Sequence, residues 1–149
     1  MLTMKREVII VAGCGRLGAS LAGTLSRQGY DVMVIDKDGD SFRKLPPNFS
    51  GFEIQGDATD PAILLSAGID NVRLVAAVTD NDNVNCMVAQ IASRLYGVSE
   101  VFARLNDTDK EHLLDGTNVH PIYPSRLSLT EIQRLSSIEF GLLYEEGRQ

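Results

Sequence analysis

A doubly wound α/β sheet of six parallel strands is the fold this sequence predicts, and three observations carry the prediction. Short β-branched apolar runs alternate with amphipathic stretches along almost the whole chain. The first of these runs is nearly unbroken in apolar residues, the pattern of a parallel strand covered on both faces. A glycine-rich turn, Gly13, Gly15 and Gly18 in G-x-G-x-x-G spacing, joins the first strand to the first helix. Crossovers this short are right-handed, and the first strand needs a helix on each side of the switch point. The strand order is therefore three-two-one-four-five-six, in a three-layer α/β/α arrangement of Rossmann-like type.

The elements are taken in chain order. "EVIIVA", residues 7–12, is the first strand, and "RLGASLAGTLSRQG" reads as a helix with Leu17, Leu21 and Leu25 on one stripe and Gly29 as its stop. "YDVMVID", residues 30–36, is the second strand; "DSFRKL" is a short helix halted by Pro46 and Pro47. "FEIQGD" is the third strand. In "TDPAILLSAG" Asp60 takes the N-cap, Pro61 the first helical position and Gly68 the position past the end.

"VRLVAAVT", residues 72–79, is the fourth strand. Residues 81–96 form the longest helix, with Val84, Met87, Val88, Ile91 and Leu95 as its buried face and Gly97 as its end. "EVFARL", residues 100–105, is the fifth strand, "TDKEHLLDG" a short helix, and "NVHPIY", residues 118–123, the sixth strand. Pro121 assigns that strand to an edge, since a central one would lose a ladder hydrogen bond there. A last helix presents Leu127, Ile132, Leu135 and Ile138 on one side, and no linker or low-complexity stretch divides the chain.

Composition narrows the function classes. A chain of 149 residues fits one domain, and 20 acidic against 14 basic residues give a net charge of -6, a field opposed to general nucleic-acid binding. Cys14 and Cys86 have neither zinc-site spacing nor the density of a disulfide framework, so free thiols in a reducing compartment are expected. The apolar run near the N-terminus is too short for a signal sequence, and no segment approaches the roughly 20 apolar residues of a membrane span. A cytoplasmic location is the expectation.

The glycine turn carries the chemistry. Gly13 permits the tight turn, Gly15 admits a pyrophosphate where a Cβ would clash, and Gly18 lets the helix pack closely on the sheet. Asp36 ends the second strand, where a carboxylate takes both hydroxyls of an adenosine ribose; it also repels a 2'-phosphate, which disfavours NADP, although Lys37 beside it weakens that exclusion. Arg16 stands in the first helical turn, against the helix dipole, and is expected to face phosphate. Arg104, near the carboxyl end of the fifth strand, is a second cation on the ligand side, its alternative being a salt bridge to a carboxylate.

Catalytic groupings are harder to find. His112 reads as an exposed helical residue, and His120 precedes Pro121 with no nucleophile pattern around it. Cys14 stands at a helix N-terminus, which can lower a thiol pKa, yet no partner base accompanies it. The acidic stretches "DATD" and "TDNDN" are read as helix caps in preference to metal ligands.

With these residues in place, the sequence resembles the N-terminal nucleotide-binding domain of the regulators of potassium conductance, the KTN or TrkA-N family. The resemblance runs from about Glu7 to Leu135 and rests on "GCGRLG", "VIDKD", "GDATDP", "AAVTDNDNVN" and "ARLND". It implies that Gly13, Gly15 and Gly18 hold the phosphates, Asp36 the ribose, and that Asp57 and Ala58 border the adenine, with Cys14, Arg16, Leu17 and Lys37 counted among the cofactor-binding residues. Thr79 and Asp80 would approach the distal part of the ligand, and Arg16 and Arg104 its phosphates. The implied ligand is NAD(H) or ATP/ADP, with AMP in the same class, and the implied role is regulation without a chemical step.

The resemblance further implies paired domains, as a homodimer or an octameric ring, acting on a membrane potassium channel or Trk/Ktr-type transporter from the cytoplasmic face. Residues 1–149 form the nucleotide-binding domain, with 124–149 a peripheral dimerisation helix and tail. Many family members continue into a second, C-terminal domain; an excised domain and a stand-alone subunit both fit this chain. An NAD-dependent oxidoreductase cofactor domain is the alternative reading, weakened by the absence of a substrate domain to position a general acid.

Overall fold

The computed structural model of the chain describes residues 7–140. Six strands, β1 (Val8–Ala12), β2 (Asp31–Asp36), β3 (Phe52–Gln55), β4 (Leu74–Ala77), β5 (Glu100–Arg104) and β6 (Val119–Ile122), form one sheet in the order β3-β2-β1-β4-β5-β6. Every neighbouring pair is parallel. Pro121 lies in β6 on the edge, as the missing N–H requires.

Among the described residues four α-helices accompany the strands: α1 (Arg16–Arg27), α2 (Pro61–Ser66), α3 (Asp82–Gln90) and α4 (Pro124–Leu135). α1 and the 3-10 segment Gly39–Lys44 cover one face, where Ala19, Ala22 and Leu45 meet Ile9, Val11, Val32 and Val34. α2 and α3 cover the other, where Leu64, Val88, Ala89 and Ala92 meet Ile10, Ile35, Val75 and Val101. Strand residues alternate between the two clusters because successive side chains point to opposite faces, and both faces are apolar. α2 starts as its sequence dictates: Asp60 accepts a hydrogen bond from the Ala62 N–H at 2.9 Å and Pro61 comes next.

Two helical faces differ from the sequence expectation. On α1 the buried residues are Gly18, Ala19, Ala22, Gly23 and Ser26; Leu21 and Leu25 flank them half-buried, and Leu17 is 38 % exposed. The helix sits too close to the sheet for a central leucine stripe, so the small residues take the contact. The long helix runs as α3 continued by a π turn, Ile91–Leu95, and it buries Asp82, Asn85, Cys86, Val88, Ala89, Ile91 and Ala92. Met87 is 52 % exposed and Leu95 72 %, which removes both from the expected core. Polar anchors at the start of α3 fix its rotation, and the wider π turn shifts the register of the last helical residues.

In the terminal segment, Leu127, Leu129, Ile132 and Leu135 are exposed on α4, while Ile138 lies beyond the helix, which is capped by Ser136. Residues 141–149 of the expected tail are outside the described residues. Both cysteines are buried free thiols.

Candidate functional site

The carboxyl ends of β1, β2, β4 and β5 open on a cleft of about 500 Å³ at the point where the strand order reverses. Open α/β sheets hold ligands at this place, because the diverging connections on either side leave a crevice. The glycine turn forms one wall. Gly13 has φ +105° and donates its N–H to the Ile35 carbonyl at 2.8 Å, and a Cβ on it would come 2.8 Å from the Thr79 nitrogen. Gly15 is the N-cap of α1 and makes no side-chain cap, and a Cβ there would meet nothing within 4 Å. The start of α1 thus faces the cleft as bare backbone. Gly18 does a different job: a Cβ on it would lie 1.9 Å from the Gly13 carbonyl oxygen, so this glycine closes helix against turn.

Asp36 stands at the end of β2 and ties the turn to it. One carboxylate oxygen accepts the Cys14 N–H and the other the Asp38 N–H, each at 2.8 Å. Each oxygen retains a further lone-pair direction for a ligand hydroxyl. Burial, reinforced by the Asp36 charge, pushes the Cys14 thiol up to about 11. This reverses the lowering expected of a helix N-terminus, since the neighbouring carboxylate and the dry surroundings both oppose a thiolate.

Across the cleft, Lys37 pairs with Asp57 at 3.4 Å. Asp57 accepts the Thr59 hydroxyl at 2.7 Å and the Thr59 N–H at 2.9 Å; those bonds, with Lys37 adding to them, hold its carboxyl below the ordinary 3.8. Ala58, buried behind them, lines the cleft floor.

The far wall is built by α3. Asn85, fully buried, accepts the Thr79 N–H at 2.9 Å and the Thr79 hydroxyl at 2.7 Å, and donates to the carbonyls of Thr79 at 3.0 Å and Arg104 at 2.8 Å. One amide thereby joins the ends of β4 and β5. Asp82 accepts the N–H groups of Asn106 and Asp107, at 2.8 to 3.0 Å, and binds the loop after β5 to the same helix. The Arg104 side chain lines the cleft, and its buried Nε has no hydrogen-bond partner. A buried guanidinium N–H of this kind is costly unless an acceptor arrives.

Of the residues singled out from the sequence, Gly13, Gly15, Asp36, Lys37, Asp57, Ala58, Thr79, Asp80 and Arg104 line the cleft. Cys14, Leu17 and Gly18 do not: Cys14 gives its N–H to Asp36, Leu17 points outward and Gly18 is a packing contact. Arg16 is exposed in an adjoining groove along α1. Sequence reasoning misses Ser41, Lys44, Asn81 and Val84 as lining residues, and Asn85 and Asp82 as the groups that hold the wall. Asn85 belongs to "TDNDNVN", and an asparagine in the first turns of a helix beside a strand end is the signal that could have found it.

The acidic stretches cap and brace their own turns. Asp60 caps α2, Asn81 accepts the Val84 N–H at 3.1 Å to cap α3, and among the described residues no group of three His, Cys, Asp or Glu is placed to hold a metal ion. His112 is turned to the Asp109 carbonyl and His120 lies against Phe102, with neither lining the cleft. Among the described residues no helix is long and apolar enough to cross a membrane.

A family model for the TrkA-N domain matches residues 9–123. The Trk system potassium uptake protein TrkA of Streptomyces coelicolor is 35 % identical over 126 residues, which cover 85 % of this chain and 56 % of that protein. The chain spans about half the length of three of the curated relatives it matches and less than a third of three others. Among solved structures, the TrkA-N domain of the inner membrane protein ybaL from Escherichia coli superposes with TM-score 0.75 at 18 % identity, covering 90 % of this chain and 98 % of that one. The GsuK channel bound to NAD gives TM-score 0.70 at 23 % identity over 91 % of this chain and 24 % of that one. GsuK bound to ADP gives 0.71 at 24 % over 87 % and 33 %. At these identities the structural likeness speaks for the fold alone. The family model, covering the sheet from β1 to β6 and every wall of the cleft, and the Streptomyces relative together establish that this chain belongs to the TrkA-N domain family.

Proposed function

We propose that the chain is a nucleotide-sensing regulatory domain of a potassium-uptake system, binding NAD(H) or ATP/ADP in the cleft without turning it over. The observation that carries this reading is the pairing of the bare α1 start at Gly15 with the Asp36 carboxylate across one cleft. Phosphate meets backbone and helix dipole at Gly13 and Gly15, while Asp36 takes the ribose hydroxyls. Asp57 and Ala58 border the base, Lys37 closes that edge, and Thr79 and Asp80 border the distal half. The unsatisfied Arg104 Nε supplies a donor for a phosphate or amide oxygen, and Arg16, beside Gly15, adds charge at the phosphate end. Asp36 repels a 2'-phosphate, so NADP is disfavoured. The relatives named for Trk potassium uptake and the GsuK structures with NAD and ADP support the same ligand class and the same physiological setting.

Occupancy has an effect only if it changes a relation between bodies. The exposed leucines and isoleucine of α4 supply an apolar face suited to a second copy, as a homodimer or within a ring, at the cytoplasmic side of a membrane potassium channel or transporter. Calorimetric titration with NAD, NADH, ADP, ATP and NADPH tests the ligand assignment. Binding of an adenine nucleotide or NAD(H), weakened about tenfold or more by Asp36→Ala, is the expected outcome, about 1.4 kcal/mol. An unchanged dissociation constant in that variant, or a preference for NADPH, removes the ribose role of Asp36.

A further inference from the structure

A second concavity, of about 580 Å³, runs between α1 and residues 44–46. Arg16 stands at its start and Arg27 at its end, Lys44 and Pro46 form the opposite bank, and Ala19 and Gly23 lie along the floor. Among the described residues no aspartate or glutamate lines it, in a protein of net charge -6. Arg16, Arg27 and Lys44 are exposed, and among the described residues none of the three side chains has an ion pair or hydrogen bond. Lys44 also lines the nucleotide cleft and Arg16 stands beside Gly15, so Arg27 and Thr24 are groove residues distinct from that site.

We infer that this groove is a docking site for an extended acidic segment of a partner protein. Its dimensions and charge select that occupant. Arg16 and Arg27 are separated by a helix rise of roughly 16 Å. A single phosphate cannot bridge them, whereas an extended peptide spans that distance with about five residues. A Cβ on Gly23 would lie 2.9 Å from Pro46 Cγ, so the helix and the opposite bank touch at that point, and recognition falls to carboxylates that meet the three cations along the rim. A planar lipid surface meets the rim but leaves the floor uncovered. Complementarity is local, because the rest of the molecule is acidic and repels such a segment from other faces.

The test is fluorescence anisotropy of a labelled hexaglutamate peptide titrated with the full chain at low and at physiological salt. The expected result is saturable binding that weakens with salt, and that falls about tenfold or more in Arg27→Glu and in Thr24→Glu, which puts a carboxylate on the exposed wall of the groove. Both substitutions lie on the exposed helix face away from the cleft, so ADP and NAD titrations of the same variants are expected to match the wild type. That separation keeps a failure of docking distinct from a failure of the nucleotide reading. Absence of peptide binding, or equal binding by wild type and both variants, overturns the inference. Association with phosphatidylglycerol vesicles in the absence of peptide binding overturns it as well, in favour of a membrane surface.

Discussion

α1 and α3 both begin at the cleft, one on each side of the switch point, and they are anchored by opposite means. α1 is held by what it lacks: Gly18 brings its backbone against the Gly13 turn, Ala19 and Ala22 against the sheet and Gly23 against Pro46, and its N-cap, Gly15, offers no side chain. α3 is held by polar groups: Asn81 caps it, Asp82 gathers the loop after β5, and Asn85 bridges the ends of β4 and β5. A helix start whose donors are satisfied by its own side chains has little left for a ligand. A bare one keeps its amides and dipole available. On the proposed reading the difference divides the labour of the cleft, with anion binding on the α1 side and rigidity of the distal wall on the α3 side.

The largest effect is expected where α1 depends on having no side chain. Gly18→Ala drives a methyl to 1.9 Å from the Gly13 oxygen, and that atom belongs to a turn locked by its own bond to β2. Neither side can yield without moving the strand end. We expect a loss of more than about 3 kcal/mol, read as a fall in urea midpoint with an unchanged slope. A wild-type midpoint in this variant breaks the claim that α1 is placed by close approach.

Next comes the polar anchor of α3. Asn85→Ala leaves the Thr79 N–H and the Arg104 carbonyl without their partner in a buried place, and the strand ends lose their bridge. The cost is about 2–3 kcal/mol, again by urea denaturation. Affinity for the nucleotide is expected to fall with it, because Thr79 and Arg104 both line the cleft. Loss of stability with full affinity would detach the wall from the ligand.

This contrast also explains what is legible in the sequence. The capping of α2 by Asp60 and Pro61 and the edge position of Pro121 arise from rules that act within a few residues, the sheet order follows from the handedness of short crossovers, and the structure agrees with all three. The glycine turn with Asp36 is legible for the same reason, its spacing being fixed by one strand–turn–helix unit. Where packing is decided by distant partners, periodicity misleads. The buried faces of α1 and α3 are set by close approach and by polar anchoring, so periodicity places the leucine stripe of α1, and Met87 and Leu95 of the long helix, in the wrong environment. Lys44 escapes sequence reasoning because it reaches the cleft from a 3-10 segment on the α1 face, and Asn85 because its partners lie on two strands.

The bare helix start itself is addressed by Gly15→Ala. A Cβ there meets no protein atom within 4 Å, so only a ligand can feel it. We expect stability to change by less than about 1 kcal/mol, the scale of an N-cap exchange, while affinity for ADP or NAD drops about tenfold. Measuring both on the same preparation sharpens the comparison with Gly18→Ala, two methyls placed three residues apart with opposite consequences. Full ADP affinity in Gly15→Ala would mean that phosphate does not approach this backbone.

The smallest effect belongs to the turn after β3, where polar groups brace each other at the surface. Asp57 is held below 3.8 by the Thr59 bonds first and by Lys37 in addition, but the Asp57 and Lys37 side chains are 43 % and 69 % exposed, so solvent screens the pair. Asp57→Asn keeps an oxygen to accept from Thr59 and removes the charge. The folded-state pKa is depressed, so the ionised carboxylate stabilises the fold fully above 3.8, and that contribution is lost as pH falls through the lower folded-state value. Wild type should therefore exceed Asp57→Asn by less than about 1 kcal/mol at neutral pH, with the gap closing in acid below 3.8. Paired urea titrations at the two pH values decide it. A gap of equal size in both would mean that the carboxylate acts through its shape and not its charge, and the α2 side of the cleft would then resemble α1 more than α3.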